Sequence, residues 1–218
     1  MKGAHDLGGK PAMGRINPES EKDEPVFHAE WERRVFAMTL ATGMLGQWNI
    51  DESRFARERQ EPEIYLGNSY YENWLAGLET LLSEKGLLEM NGLTELRVPT
   101  PSDAQRLLAT GGPTLLSTDK QPCYNIGDMV RVQANDSTGH TRAPEYAQSR
   151  IGVVTALRGC HIFPDAHIGQ QTVGQQAIGE HLYSVQFSER ELWQHSQDSA
   201  DVLIDLWEPY LELVNSRA

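Results

Sequence analysis

Apolar residues recur at helical spacing in the first half of the chain. One amphipathic helix of about four turns is predicted where they repeat at intervals of three and four, at Trp31, Val35, Met38, Thr42 and Leu45. A shorter helix is predicted over 51–59, with Asn49 or Asp51 as its N-cap and Pro62 beyond its end. A third is predicted over 68–85, and Gly86 is suited to follow its end.

The pattern becomes β-rich in the second half of the chain. Short apolar runs are separated by Gly, Pro and Asn, and this spacing predicts a small, strongly bent barrel, with strands near 129–133, 151–157, 182–187 and 202–206. Between the two halves, prolines and glycines leave room for one short helix over 102–109, capped by Ser102 or Asp103. The sequence therefore predicts an α+β chain.

Four parts follow from this pattern. Residues 1–26 form an extended N-terminal arm, which the many Gly and Pro residues and few apolar ones would leave disordered if nothing covered it. Residues 27–110 form a helical domain, 111–123 a linker, and 124–218 a β-barrel domain.

Composition and charge narrow the classes of partner. The formal net charge of −12 and the lack of a Lys and Arg cluster exclude nucleic acid as the main ligand. No apolar run approaches the roughly 20 residues that cross a bilayer, and the N-terminus lacks the features of a signal peptide, so we expect no membrane partner and a cytoplasmic location. Cys123 and Cys160 show neither metal-ligand spacing nor a disulfide framework, and we expect both to be small, buried or half-buried apolar residues.

Motifs of self-contained catalysis are missing from the sequence. It has no nucleophile elbow, no HExxH, no phosphate-binding loop and no GxGxxG. The seven histidines are scattered, and none pairs with another at metal-ligand spacing on a helix face. We therefore predict that this chain does not hold a complete active site.

Three side chains stand out as candidates for binding. Arg142 lies in the run 139–146, a loop stiffened by Pro144 between two predicted strands, where an arginine can grip an anion. Arg54 is four residues before Glu58, so a carboxylate could orient its guanidinium; by spacing alone, an ordinary surface ion pair worth less than about 1 kcal/mol explains the pair better. Tyr70 precedes Tyr71 on the third helix, so one phenol can join the core while the other faces outward; from the residues alone, packing of both rings explains the pair better.

Short motifs along the chain resemble the nitrile hydratase β subunit and keep that family's order over nearly the whole length. The first is His-Asp-Leu-Gly-Gly at 5–9, similar to the family's HDxGG opening. The others are at 24–32, 51–59, 70–74, 139–142 (Gly-His-Thr-Arg), 163–165 (Phe-Pro-Asp), 183–187, 191–193 and 205–211.

The resemblance implies a fold, a partner and a reaction. It implies an αβ heterodimer, which can pair further into α2β2, and an SH3-like β-barrel over 124–218. The metal of the family, non-corrin Co(III) or non-haem Fe(III), is bound by a CxxCxC claw of the α subunit that carries oxidised cysteines. This chain has no such claw and is expected to bind no metal itself. The implied reaction adds water to a nitrile to give the amide, and the motif pattern leans towards the cobalt members.

Site residues are implied by the same resemblance. Arg54 and Arg142 match arginines that hydrogen-bond the oxidised cysteine oxygens, which replaces the ion-pair interpretation of Arg54; the fixed guanidinium fork suits paired oxygens better than a lysine does. Tyr70 matches a tyrosine near the substrate. Residues that match the nitrile pocket are Ile50, Ser53 and Trp74, and Ser53 departs from the bulkier aromatic of some members, which alters pocket volume.

Two alternatives come from other classes. A non-catalytic metal-maturation chaperone would resemble the helical half alone, whereas this chain also has the predicted barrel and Arg142. A thiocyanate hydrolase-like subunit would have the two halves on separate polypeptides, whereas here they are fused. Metal content and activity of the chain alone and in complex distinguish the β subunit from the chaperone.

Overall fold

Two compact units make up the chain. A computed structural model describes residues 3–89, 96, 98–135, 139–169, 177–194 and 200–214. The first unit, Gly3–Gly112, is helical, and the second begins at Pro113 and carries an antiparallel sheet. The predicted α+β class is therefore confirmed. Within the described ranges, no helix combines the length and the hydropathy that a bilayer crossing needs.

Five helices are described in the first unit: α1 (Glu30–Gly43), α2 (Ile50–Glu58), α3 (Pro62–Gly67), α4 (Tyr70–Glu84) and α5 (Pro101–Thr110). Four of them were predicted, with ends shifted by one or two residues, as is usual for fraying termini. The other, α3, was missed because Pro62 was interpreted as lying beyond the end of α2. Proline also suits the first turn of a helix, and here it begins one.

Side chains at the helix starts explain where α2 and α5 begin. Asn49 caps α2: its Oδ1 accepts the N–H groups of Asp51 at 3.0 Å and Glu52 at 2.9 Å, and Glu52 Oε2 accepts the Asn49 N–H at 2.9 Å. For α5 the predicted cap, Ser102 or Asp103, was wrong. Thr100 is the N-cap and Pro101 is the first helical residue.

Helices α2 and α4 pack together around a small core of Trp48, Ala56, Leu78 and Leu81. Two ion pairs tie the same helices together. Lys85 Nζ lies 2.9 Å from Glu52 Oε1, and Arg59 Nη2 lies 2.6 Å from Glu84 Oε2. The apolar core and the two ion pairs therefore hold α2, which carries Arg54, against α4.

The apolar stripe predicted for α1 is only partly buried. Val35 is 2 % exposed, but Trp31 and Met38 keep 39 % and 46 % of their surface exposed. Helix α1 meets α4 instead through Phe36, whose ring centroid lies 6.0 Å from that of Trp74. Since apolar surface of this kind is costly in water, α1 presents a face suited to a partner.

Six strands are described in the second unit: β1 (Leu115–Leu116), β2 (Met129–Val132), β3 (Ile151–Ile162), β4 (Gly179–Ser188), β5 (Asp201–Trp207) and β6 (Leu211–Leu213). Short helices lie between them: 3₁₀ turns at Glu145–Ala147 and Glu208–Tyr210, α6 (Pro164–His167) and α7 (Glu189–Trp193). The four predicted strands are confirmed. The two shortest were missed, and β1 lies inside the predicted linker 111–123, where it pairs with β3.

The sheet curls, although it is not closed. Its strand order is β5-β4-β3-β2-β6, so β5 and β6 lie at opposite ends of the path and, among the described residues, are not paired with each other. In a flat sheet these strands would be about 19 Å apart, at ~4.8 Å per neighbour. The three residues Glu208–Tyr210 connect them, and a 3₁₀ turn rises only about 2 Å per residue. The sheet must therefore bend its two ends towards each other.

Packing inside the curl explains how it bends. Register shifts in the β3–β4 pairing lie between Val154 and Ala156 and between Leu157 and Gly159, and Gly159 has φ of 95°. Gly152 allows close approach, because a Cβ there would lie 2.6 Å from Val185 Cγ1. The enclosed core is apolar and includes Val130, Val132, Val154, Tyr183, Val185, Phe187, Leu206 and Tyr210.

Candidate functional site

A cavity of about 430 Å³ lies in the helical unit. The three predicted pocket residues, Ile50, Ser53 and Trp74, all line it. Most of the other walls come from α1 and from the ends of α2 and α5: Thr39, Leu40, Gly43, Met44, Trp48, Asn49, Arg57, Leu107, Gly111 and Gly112. A mainly apolar cleft of this volume with a few polar groups is typical of a small-molecule site.

Arg54 lies on α2 and is 45 % exposed at its side chain. Its Nη1 is 3.2 Å from Asp51 Oδ1, and the Asp51 side chain is only 5 % exposed. A carboxylate does orient the guanidinium, as predicted, but it is Asp51 one turn earlier; Glu58 Oε2 lies 3.9 Å from His5 Nε2. The Arg54 guanidinium is therefore oriented by Asp51, and its half-exposed side chain remains accessible to a ligand.

Tyr70 begins α4 and is the outward-facing member of the tyrosine pair. It is 66 % exposed, while Tyr71 is half-buried. The Tyr70 ring centroid lies 5.8 Å from that of the cavity residue Trp74. The Tyr70 ring thus packs against Trp74 in the cavity wall, while most of the side chain remains exposed.

One residue of the cavity was not singled out from the sequence. Arg57 lies one turn after Arg54 on α2, and its guanidinium carbon is 4.6 Å from the centroid of the Trp74 ring. Its Nε donates to the carbonyl of Ser53 at 3.0 Å. Burial lowers the pKa of Arg57; the nearby Tyr70 and Glu58 partly offset this effect, and the charge of Arg54 adds a smaller lowering. Its spacing from Ser53, four residues on one helix face, was the signal that could have found it.

Arg142 lies in the loop between β2 and β3, and that loop is anchored by two side chains from elsewhere in the same unit. The Arg142 N–H donates to Tyr210 Oη at 3.0 Å, and the Tyr210 hydroxyl donates to Asp165 Oδ1. Tyr210 is 4 % exposed. The guanidinium is positioned further by Nε, which donates to the Thr141 carbonyl at 3.1 Å.

Burial sets the protonation of this anchor. It raises the pKa of Asp165, and it raises that of Tyr210 well above the usual range, with the Asp165 charge adding to the effect. Tyr210 therefore keeps its proton and remains a donor to Asp165 at neutral pH. Neither residue was predicted to belong to the site, although both lie in motifs that support the family resemblance.

A second polar network fixes the turn that carries Tyr210. Glu208 is 7 % exposed, and it accepts hydrogen bonds from the Tyr183 hydroxyl, from the Cys123 N–H at 3.0 Å and from Lys120 Nζ at 2.9 Å. Burial on its own would raise the pKa of Glu208, but these bonds outweigh it and hold the pKa at about 2. Glu208 is therefore ionised at neutral pH and locks the 3₁₀ turn.

Within the described ranges, no three His, Cys, Asp or Glu side chains converge in a way that could hold an ion. Both cysteines are free; Cys160 is buried as expected, whereas Cys123 is exposed, so that half of the expectation was wrong. Arg54 and the cavity belong to the helical unit and Arg142 to the other unit.

Comparison with known proteins decides the family. The model of the nitrile hydratase beta subunit, N-terminal, matches residues 1–120, and that of the C-terminal part matches residues 113–213. The chain belongs to the nitrile hydratase β subunit family. A nitrile hydratase subunit beta of Rhodococcus sp is 33 % identical, covering 99 % of this chain and 97 % of its own.

Two further family members are named as cobalt-containing. The low-molecular weight cobalt-containing nitrile hydratase subunit beta of Rhodococcus rhodochrous is 36 % identical over 97 % of this chain and 99 % of its own. The cobalt-containing subunit of Pseudonocardia thermophila is 34 % identical over 100 % of this chain and 99 % of its own. A recombinant apo-enzyme of thiocyanate hydrolase from Thiobacillus thioparus superposes with a TM-score of 0.38 at 23 % identity, covering 43 % of this chain and 78 % of that one, and so low a score carries no argument.

Family membership confirms the activity predicted from the sequence. Nitrile hydratase is a lyase that hydrates a nitrile to the amide and acts as a complex of α and β subunits. A β subunit implies an α subunit partner. The match to both halves of the family also favours this activity over the chaperone, which would resemble the helical half alone.

Proposed function

We propose that this chain forms an αβ heterodimer, which pairs further into α2β2, and that the α subunit holds a non-corrin Co(III). Cobalt in the names of two full-length relatives supports this metal over non-haem Fe(III). When bound, the metal acts as a Lewis acid towards the nitrile or water. The full-length match to both family models is the observation that carries the proposal.

Arg54 and Arg142 are proposed to hydrogen-bond the oxidised cysteine oxygens of the α subunit. Each guanidinium is permanently charged and is already oriented within its own unit, Arg54 by Asp51 at 3.2 Å and Arg142 by the Thr141 carbonyl at 3.1 Å. Pre-orientation of this kind lowers the entropy lost when paired oxygens are bound. Both arginines would then hold the charge and geometry of the groups around the metal.

Substrate contact is assigned to the cavity of the helical unit. Ile50, Ser53 and Trp74 supply its walls, and Tyr70, with an exposed hydroxyl beside Trp74, is proposed to orient the nitrile at the rim. Because Ser53 is small, the cavity accepts a larger substituent than it would with an aromatic residue there. The expected substrate is therefore a nitrile with a sizeable side group.

The unit around Arg142 is proposed to be an SH3-like barrel over 124–218, which the curl of its sheet and the 3₁₀ link before β6 support. We further propose that the rest of the chain comprises an arm over 1–26, a helical domain over 27–110 and a linker over 111–123. The exposed Trp31 and Met38 on α1 suit a helical domain that clasps the α subunit.

Lysine substitutions in the co-expressed αβ complex test the two arginines. Arg142→Lys and Arg54→Lys are each expected to lower kcat about 10- to 100-fold while the complex still assembles. Arg106→Lys is the matched control, because Arg106 makes the same i,i+3 pair, 2.9 Å to Asp103, on the exposed surface of α5. Turnover equal to that of the unmodified complex in both variants would remove the proposed roles.

A further inference from the structure

A positive charge lies in the wall of an otherwise largely apolar cavity. Arg57 lines the cavity together with Trp48, Leu40 and Trp74, and it is half-buried. A guanidinium withdrawn from water without a counter-ion is costly, so such groups are usually paired. The Arg57 guanidinium therefore needs an anionic partner, and a neutral nitrile does not supply one.

Few of the donors of Arg57 are used within its unit. A guanidinium has five N–H donors; Nε donates to the Ser53 carbonyl at 3.0 Å, and the face of the group stacks on Trp74 at 4.6 Å. Among the described residues, no carboxylate lies within ion-pair distance of Arg57. The four N–H groups on Nη1 and Nη2 are thus left for a ligand, in the forked geometry that binds a carboxylate through both oxygens.

The guanidinium is also held rigidly. Gly77 of α4 faces it so closely that a Cβ there would lie 2.4 Å from Arg57 Cγ, which confines the stem between α2 and α4. A charged group fixed by its stem, its Nε and its ring contact loses little entropy on binding an anion. This is the arrangement of a specificity residue, not of a solvated surface charge.

We propose that Arg57 binds a carboxylate on the substrate and gives this enzyme a preference for nitriles that carry an acidic group. The inference deepens the proposed function and rests on it. The cavity of about 430 Å³ has room for a small aromatic or aliphatic acid. Its mainly apolar walls would hold the body of the substrate, and Arg57 would bind the carboxylate.

A carboxylate of the α subunit is the competing partner. The substrate is favoured because Arg57 lines a mainly apolar cleft together with Trp48 and Trp74, whereas the apolar surface suited to a protein partner, Trp31 and Met38, lies outside that lining. If a protein carboxylate took Arg57, its loss would weaken assembly and would affect all nitriles alike.

The test compares 4-cyanobenzoate with 4-methylbenzonitrile, which differ in a carboxylate against a methyl group, on the αβ complex. We expect kcat/KM to favour 4-cyanobenzoate, and Arg57→Met to lower it about 30-fold for that substrate but less than about threefold for 4-methylbenzonitrile. Arg33→Met is the matched control, since Arg33 also stacks on an aromatic ring, Phe27 at 5.7 Å, but does not line the cavity. It should leave both values unchanged.

Results that differ from these expectations distinguish failure of the proposed function from failure of the Arg57 proposal. An unmodified complex that hydrates neither nitrile refutes the proposed function itself. Hydration of 4-methylbenzonitrile with no preference for the acid, or with a preference that Arg57→Met leaves intact, overturns only the role of Arg57. Equal losses for both nitriles with a weaker complex would assign Arg57 to the subunit interface.

The role of Arg57 can also be tested without the Arg57→Met variant, in case that variant does not fold. In the unmodified complex, 4-methylbenzoate should inhibit 4-methylbenzonitrile hydration competitively and at least about tenfold more strongly than 4-methylbenzamide. Arg57→Lys, which keeps the charge but not the fork, should lose part of that difference. Equal inhibition by the acid and the amide would overturn the inference without any variant.

Discussion

Tyr210→Phe removes one oxygen from the anchor of the Arg142 loop and leaves the ring in place. Two bonds are lost: the Arg142 N–H no longer has its acceptor at 3.0 Å, and Asp165 loses the Tyr210 hydroxyl as a donor while keeping the hydrogen bond with the Thr141 side chain. Because Tyr210 is 4 % exposed, water cannot readily replace the hydroxyl. The ring contacts with Phe163 and Trp207 are retained.

The size of the effect follows from these two bonds. A buried N–H left without a partner costs about 1–3 kcal/mol, and a hydrogen bond to a carboxylate contributes about 1.5–3 kcal/mol. Since Asp165 can take up a proton once the Tyr210 donor is lost, we expect about 3 kcal/mol in total. For a chain of this size that lowers Tm by roughly 6–12 °C. Loosening of Arg142 should also lower kcat about tenfold, with KM nearly unchanged.

Tyr124→Phe is the matched control for this prediction. The Tyr124 hydroxyl donates to the Leu211 carbonyl at 2.8 Å, and the side chain is 9 % exposed in the same core. Its loss should cost about 1 kcal/mol and leave kcat intact, because no site residue depends on it. Differential scanning calorimetry and steady-state kinetics on the αβ complex measure both quantities. If Tyr210→Phe were no more harmful than Tyr124→Phe in either assay, the anchoring argument would be refuted.

Three further predictions concern the supports of the site. Asn49→Ala should destabilise the protein by about 1–2 kcal/mol in urea unfolding, because it removes the cap that accepts two N–H groups of α2, and a smaller loss would show that Glu52 caps alone. Gly152→Ala should cost at least about 2 kcal/mol, since its Cβ would lie 2.7 Å from the Gln186 carbonyl oxygen, and an unchanged midpoint would refute this close approach. Glu208, with its pKa lowered from 4.5 to about 2, should stabilise the fold fully above pH 4.5 and progressively less as pH falls towards 2. Glu208→Gln should remove most of that acid-dependent loss in unfolding measured across the same pH range.

Local patterns predicted the four longer helices and the longer strands because each carries its own signal. The Asn49 cap and the start of α2 are visible in the sequence, as is the end of α4 at Gly86, whose φ of 67° suits glycine. The short strands β1 and β6 carry no such signal. They exist because β3 and β2 offer open edges to pair with, a long-range effect that periodicity does not record.

The residues of the candidate site likewise include some that were assigned from the sequence and some that only the structure reveals. Ile50, Ser53 and Trp74 were assigned through the family resemblance, and the structure shows that they share one cavity. Arg57 was missed because its burial depends on Gly77, on a different helix. The Tyr210–Asp165 anchor was missed because these residues are 45 positions apart and are joined only by folding.

The most direct test of the account is metal content and nitrile hydration measured on this chain purified alone and on its co-expressed complex with the α subunit. The account predicts that the lone chain contains neither cobalt nor iron and is inactive, while the complex contains cobalt and converts nitrile to amide. Stoichiometric metal in the lone chain, or a stable complex that forms no amide, would contradict it.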